Sequence, residues 1–319
     1  LRGFPPLSTR PGSILTQHRR PNLKREVTVN TSFGSIAVVT LVASAAFAQS
    51  WDPVKQATGW ARVDKDGSIA FYDPASRRIY SWMREGGILG SVDVSKLAQA
   101  PEKWVVDFDF NAWVVSGREL TYVEKSGKSY TVKLPYEVGD LTWDVNGFYL
   151  SYKTPEPFVE MRNFDSGSVV WYVRNRAMKD EASPTALHRI AINESRTLFI
   201  TSRNSLQLEA VDCNNGRLKG ATSFTFSGGL APGLTLGAQG RGAVEWWLNK
   251  NMAVSAVPAS QMPTLQQSGL LLAVENLTAG TLELLSTGLS EQHTFIGLLE
   301  SEAVFIAPGG GLVFLPLQG

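Results

Sequence analysis

The feature that most constrains this chain is a turn that recurs. From Trp51 onward, an apolar strand runs into an Asx-type corner, and an apolar, often aromatic, strand follows. The copies are Val63-Asp64-Lys65-Asp66-Gly67 before Ile69-Ala70-Phe71, and Asp109-Phe110-Asn111 before Trp113-Val114-Val115. Next come Asp144-Val145-Asn146-Gly147 before Phe148-Tyr149-Leu150, and Ile192-Asn193-Glu194-Ser195 before Leu198-Phe199-Ile200. Leu248-Asn249-Lys250-Asn251 before Met252 and Leu299-Glu300-Ser301-Glu302 before Val304 are looser copies. Corners at Asp66, Asn111, Asn146, Asn193, Asn251 and Glu302 are separated by 45, 35, 47, 58 and 51 residues. Four-stranded blades of a propeller repeat at roughly 40–50 residues.

A second hairpin follows in most copies. It reads as Asp73-Pro74 before Arg78, Glu124 to Gly127 before Tyr130, and Asn163 to Gly167 before Val169. It returns as Asp212 to Gly216, Glu275 to Gly280 and Pro308 to Gly311. Glycine supplies the positive φ of such turns, and Asp or Asn side chains cap them. A single meandering sheet cannot bury both faces, whereas a ring of sheets can. The expected fold is therefore all-β, a β-propeller of six four-stranded blades, with seven as the alternative. An unpaired edge invites association, so the strand around Trp51 to Gly59 is expected to complete the sheet of Val313-Phe314-Leu315.

The N-terminal part reads as an address. Ile36 to Ala48 is an apolar run ending Ala46-Phe47-Ala48, the small-residue pattern of a secretory signal, with cleavage expected before Gln49. It is shorter than the about 20 residues a membrane span needs. The chain begins at Leu1 and its first methionine is Met83, so residues ahead of the signal are expected to be a reading-frame extension or a fragment edge. Arg19-Arg20-Pro21-Asn22-Leu23-Lys24 partly matches a twin-arginine export motif, the alternative route. The expected organisation is 1–48 as signal with its upstream extension and 49–319 as one domain, secreted or periplasmic, and monomeric.

Charge excludes some partners. Lysine and arginine number 30 against 29 acidic residues, and Arg2, Arg10, Arg19, Arg20, Lys24 and Arg25 lie ahead of the signal. The remainder is slightly acidic, which argues against nucleic acid. Lys125, Lys128 and Lys133, with Arg118, alternate with Glu119 and Glu124 and read as a solvated outer strand. The single cysteine, Cys213, precludes an internal disulfide and reads as a turn residue rather than a nucleophile.

Phe164-Asp165-Ser166-Gly167-Ser168-Val169-Val170-Trp171 resembles the D-x-x-T-G-x-x-x-W segment of quinoprotein-type (PQQ-like, YVTN-like) propeller repeats, and Ala210 to Gly216 is a looser copy. The resemblance implies a propeller scaffold, not a quinone cofactor: the quinoprotein dehydrogenases are larger, with eight blades and often a vicinal disulfide, which one cysteine cannot make.

Candidate chemistry is sparse. Asp107, Asp109 and Asn111 would share one face of an extended strand, about 6.5–7 Å apart, as ligands for Ca2+ or another divalent cation. The repeat offers the competing reading, with Asp109 and Asn111 matched to Asp64 and Asp66 as turn caps. His188 and His293 carry no zinc-binding spacing, and no G-x-S-x-G elbow appears. The tryptophans, including Trp60, Trp82, Trp104, Trp113, Trp143, Trp171 and the pair Trp246-Trp247, are expected to fill the space between sheets. Gly228 to Gly242 reads as a surface loop, and so does Arg174 to His188. The expected role is a binding or scaffold module for a protein or small ligand. The alternative is a metal-dependent hydrolase of the six-bladed lactonase or esterase kind, whose Glu-Gly-Pro opening is replaced here by Thr58-Gly59-Trp60-Ala61.

Overall fold

The computed structural model describes residues 38–39, 59–176, 188–193, 195–201, 207–223, 244–247, 252–261, 268–276 and 281–317. After β1 (Val38–Val39) come six antiparallel sheets, each a meander in chain order. The first holds β2 (Arg62–Val63), β3 (Ile69–Asp73), β4 (Arg78–Met83) and β5 (Gly87–Asp93). The second holds β6 (Lys103–Val106), β7 (Ala112–Ser116), β8 (Glu119–Val123) and β9 (Ser129–Lys133). The third is β10 (Val138–Asp144), β11 (Gly147–Tyr152), β12 (Phe158–Arg162) and β13 (Val169–Arg174). The fourth is β14 (Ile190–Ile192), β15 (Thr197–Thr201), β16 (Gln207–Asp212) and β17 (Leu218–Ser223). The fifth is β18 (Val244–Trp247), β19 (Met252–Pro258), β20 (Leu270–Asn276) and β21 (Thr281–Ser286), with β1 parallel to β21 at its outer edge. The sixth shows three described strands, β22 (Thr294–Leu299), β23 (Glu302–Ile306) and β24 (Leu312–Pro316).

First strands of successive sheets lie side by side from β6 through β10, β14 and β18 to β22; β6 also lies against β3, and β22 returns to β2, so the sheets close on themselves. Each sheet is sheltered only by its neighbours. The seam between the last and first sheets is apolar, with Ala61, Val63, Ile69, Phe71 and Trp82 packed against Ile296, Val304, Leu312 and Phe314. Arg84 adds an ion pair to Glu302 and lies 4.6 Å over the Phe314 ring. The expected closure by residues 51–58 lies outside the described residues.

The corners sit where the repeat predicts. Asp66, Asn111, Asn146 and Asn193 fall between the first and second strands of the first four sheets, and Glu302 begins β23. Asn251 is outside the described residues; before and after it, Trp247 pairs with Met252. The register of the second copy needs correction. Asp64 N–H donates to Ser68 O, Asp107 N–H to Asn111 O and Asn193 N–H to Thr197 O, so Asp107, not Asp109, matches Asp64. The second hairpins are not all equivalent either. Those after Asp73 and Pro308 join second and third strands, whereas those at Glu124, Asn163, Asp212 and Glu275 join third and fourth. The two kinds lie at opposite ends of their sheets, because successive strands are antiparallel.

Tryptophans lock neighbouring sheets together. Trp113 of β7 donates its indole N–H to Phe164 O (2.6 Å), and Trp171 of β13 donates to Cys213 O (2.8 Å). Gly167, at φ +63°, and Gly216, at φ +70°, press onto those same two rings, so these two turns are each seated on a ring of the sheet before. Trp82, Trp104 and Trp113 are buried, as expected, while Trp60 and Trp143 are half-buried. The side chains of Trp246 and Trp247 lie outside the described residues, as do the glycine-rich stretch 228–242 and most of 174–188.

Candidate functional site

At one end of the ring, the corners of the first three sheets surround a cavity of about 540 Å3. Asp64, Lys65, Asp66 and Ser68 come from the first corner, Asp107 to Phe110 from the second, and Trp143 to Val145 from the third. Ser81 and Leu89 of the first sheet, and Phe164 and Asp165 of the third, complete the wall. Two apolar tips stand in solvent at its rim: Phe108 is 84% exposed and Val145 82%.

The corner chemistry explains how these side chains are held. Asp66 Oδ1 accepts from Ser68 N–H (2.8 Å), closing the first corner. In the second, Asp107 Oδ1 accepts from the N–H groups of Asp109 (2.9 Å) and Asn111 (2.8 Å), and its Oδ2 accepts from Asn111 Nδ2 (2.9 Å). The penultimate position of the five-residue corners is left-handed. Gly67 takes it in the first sheet (φ +81°), Phe110 (φ +60°) in the second and Arg196 (φ +53°) in the fourth, while Glu300 (φ +53°) opens the two-residue turn between Leu299 and Glu302. A non-glycine residue there costs on the order of 1 kcal/mol, so its side chain is worth looking at. Phe110 uses the position to cover Gly90 of the first sheet and wall the cavity, with Lys125 Nζ 5.1 Å from its ring centre.

Asp107, Asp109 and Asn111 are therefore brought together, but not on an extended strand. They form a tight corner in which Asn111 faces its own cap and accepts from Lys125 N–H (3.0 Å). Among the described residues, no group of three His, Cys, Asp or Glu is arranged to hold a metal ion. Burial pushes the Asp64 carboxyl above its ordinary value, against the opposing pull of the Trp143 indole and the Lys65 backbone N–H.

Deeper in, the axis of the ring is crossed. Arg62 of β2 donates to Leu141 O and to Ile190 O (3.3 Å), carbonyls on the innermost strands of the third and fourth sheets. Asp140 of β10 accepts from Ile190 N–H (3.0 Å) and lies 3.8 Å from Arg62. Lys103 of β6 is held below the usual lysine range, chiefly by burial, with Asp140 acting in the opposite direction.

A six-sheet ring with its first strands at the axis decides the architecture. The chain is a six-bladed β-propeller. Similar solved structures agree. One is virginiamycin B lyase from Staphylococcus aureus, with a TM-score of 0.51 and 10% identity over 81% of this chain and 80% of that chain. Another is a streptogramin B lyase, with a TM-score of 0.51 and 14% identity over 86% of each chain. At these identities the likeness speaks for the fold. No family model and no curated protein matches the chain, so the PQQ-like likeness stays one of repeats.

The remaining candidates do structural work in the propeller. His188 is buried, with its Nε2 2.9 Å from Thr154 O, and His293 Nδ1 lies 3.0 Å from Ser290 Oγ. Cys213 is buried at the turn after β16, and burial pushes its thiol up to about 11. The third and fourth blades share Asp144, which accepts from Tyr149 Oη (3.1 Å) and Arg196 Nε (2.9 Å). Lys125, Lys128, Lys133 and Arg118 are exposed around the outer strand β9. Sequence reasoning missed Trp143, Phe108 and Val145 as cavity-forming residues. For Phe108 and Val145 the signal was present, since an apolar residue inside an Asx corner has no core to enter; Trp143 lies in strand β10 and carries no such mark.

Proposed function

We propose that this chain is an exported propeller that binds a small ligand in the cavity between its first three blades. The convergence of three corners on a cavity of about 540 Å3, with Phe108 and Val145 held out at its rim, carries the reading. Ligand pockets are concave, largely apolar, and contain a few convergent polar groups, and a typical one falls at roughly 300–1,000 Å3. Asp107, whose two oxygens already serve their own corner, favours a ligand held by the rim over a hydrolytic metal centre. Binding needs no nucleophile or acid-base pair, and Cys213 and His188 are committed to the interior. Export rests on the apolar run Ile36 to Ala48.

The test is a fragment screen by ligand-observed NMR on the wild-type chain and on Leu89→Trp, which fills one wall. Hits lost in the variant support the cavity; hits of equal strength in both variants place binding elsewhere. Fractionation of the producing cell, with N-terminal sequencing, tests export: a mature chain starting at Gln49, and so without the edge strand β1, is expected outside the cytoplasm, and an uncleaved cytoplasmic chain contradicts it.

A further inference from the structure

Resting on that reading, we infer that the ligand is an organic cation, an amine or guanidine attached to a flat or apolar body. Six carboxylates line the cavity: Asp64, Asp66, Asp107, Asp109, Asp144 and Asp165. Lys65 is the one basic side chain in its wall. Asp144 is balanced by Arg196 at 2.9 Å. Among the described residues, the other five take part in no ion pair, although the propeller forms such pairs elsewhere, as at Arg162–Glu160 and Lys153–Glu137. Carboxylates gathered around a concave wall focus a negative field into it, which attracts cations and repels anions.

A second observation is independent of that charge. The cavity also carries Phe108, Phe110, Trp143 and Phe164, and the Phe110 ring already has an ammonium over it, that of Lys125 at 5.1 Å. A ring face attracts a cation through its quadrupole, by about 0.5–1 kcal/mol when exposed and 2 or more when desolvated. A hard metal ion would use the oxygens and ignore the rings; a neutral aromatic would do the reverse. An organic cation uses both. The Asp64 carboxyl, desolvated beside Trp143, gains most from such a partner, because a nearby positive charge offsets the cost of burying its own.

The experiment compares benzylamine, benzyl alcohol, benzoate and calcium chloride by NMR titration on the full chain, with the wild type and Asp66→Asn/Asp109→Asn/Asp165→Asn. These three aspartates are exposed, and asparagine keeps the oxygen that caps Ser68 N–H. Benzylamine is expected to bind about tenfold more tightly than benzyl alcohol, benzoate to show no saturation, and the triple variant to bring amine and alcohol within about twofold. If the triple variant unfolds, Asp109→Asn alone serves, with a smaller loss in the same direction. Equal binding of amine and alcohol at the cavity overturns the cation and leaves the pocket reading standing. Calcium binding without an amine response overturns it in favour of a hard ion. No response from any probe sinks both readings.

Discussion

The Arg62 guanidinium and the Asp140 carboxylate lie 3.8 Å apart with both side chains almost wholly buried. They belong to the first and third blades, and each also bonds to backbone of the fourth through Ile190. The innermost strand of a blade has one edge with no strand beside it, and its N–H and C=O groups need partners. Here a charged pair from two different blades supplies them.

Removing one member should therefore cost more than removing both. Asp140→Leu is expected to destabilise the propeller by about 3–5 kcal/mol, by removing the buried carboxylate that faces Arg62, while Arg62→Met/Asp140→Leu should cost less. Urea unfolding of the two variants checks the order. A double variant weaker than either single would contradict the cross-axis role.

Gly167 sits at φ +63° with the Trp113 ring beneath it. Gly167→Ala must strain the backbone and displace the indole, at about 1–3 kcal/mol. Gly220→Ala, with nothing within 4 Å of the new methyl, should stay within about 0.5 kcal/mol of wild type. Thermal melts of both variants separate the seated glycine from the open one.

The buried Cys213 thiol has its value raised from 9.0 to about 11, first by burial. A group whose folded value is raised contributes stability that is full below its unfolded value and is lost as pH climbs through the folded one. The Cys213 contribution should thus be complete below pH 9 and gone above about pH 11. Cys213→Ala should flatten the stability profile in that window. In the wild type at pH 8, iodoacetamide should label the thiol only after denaturant is added.

The seam between the sixth and first blades is held by packing more than by charge. Phe314→Ala should cost about 3–5 kcal/mol, because it empties a buried site beside Trp82. Glu302→Gln, at a partly exposed ion pair with Arg84, should cost less than about 1 kcal/mol. Differential scanning calorimetry should show one lowered transition in the first and little change in the second.

Much of the ring is legible in the chain because its corners are local. Asp66, Asp107 and Asn193 cap backbone N–H groups within four residues of themselves, so composition and spacing reveal them. The second hairpins are harder. A glycine at positive φ marks a turn, but Gly167 and Gly311 look alike in sequence while joining different pairs of strands. The cavity was the least legible part. Leu89, Phe110, Trp143 and Phe164 are scattered over 76 positions and meet only when three blades converge. Asp107 and Asp109 were singled out for oxygen chemistry; their corner geometry could not be read from a strand pattern, since Phe110 adopts a left-handed conformation that pattern alone assigns to glycine.

The seating of Gly167 on Trp113, and of Gly216 on Trp171, has a direction: in both, the platform precedes what rests upon it. A polypeptide emerging from the ribosome amino end first finds each docking surface already synthesised before the segment that needs it. Assembly can then advance by accretion, one module after another, and only the final join between Phe314 and Trp82 must wait for the whole length to be released.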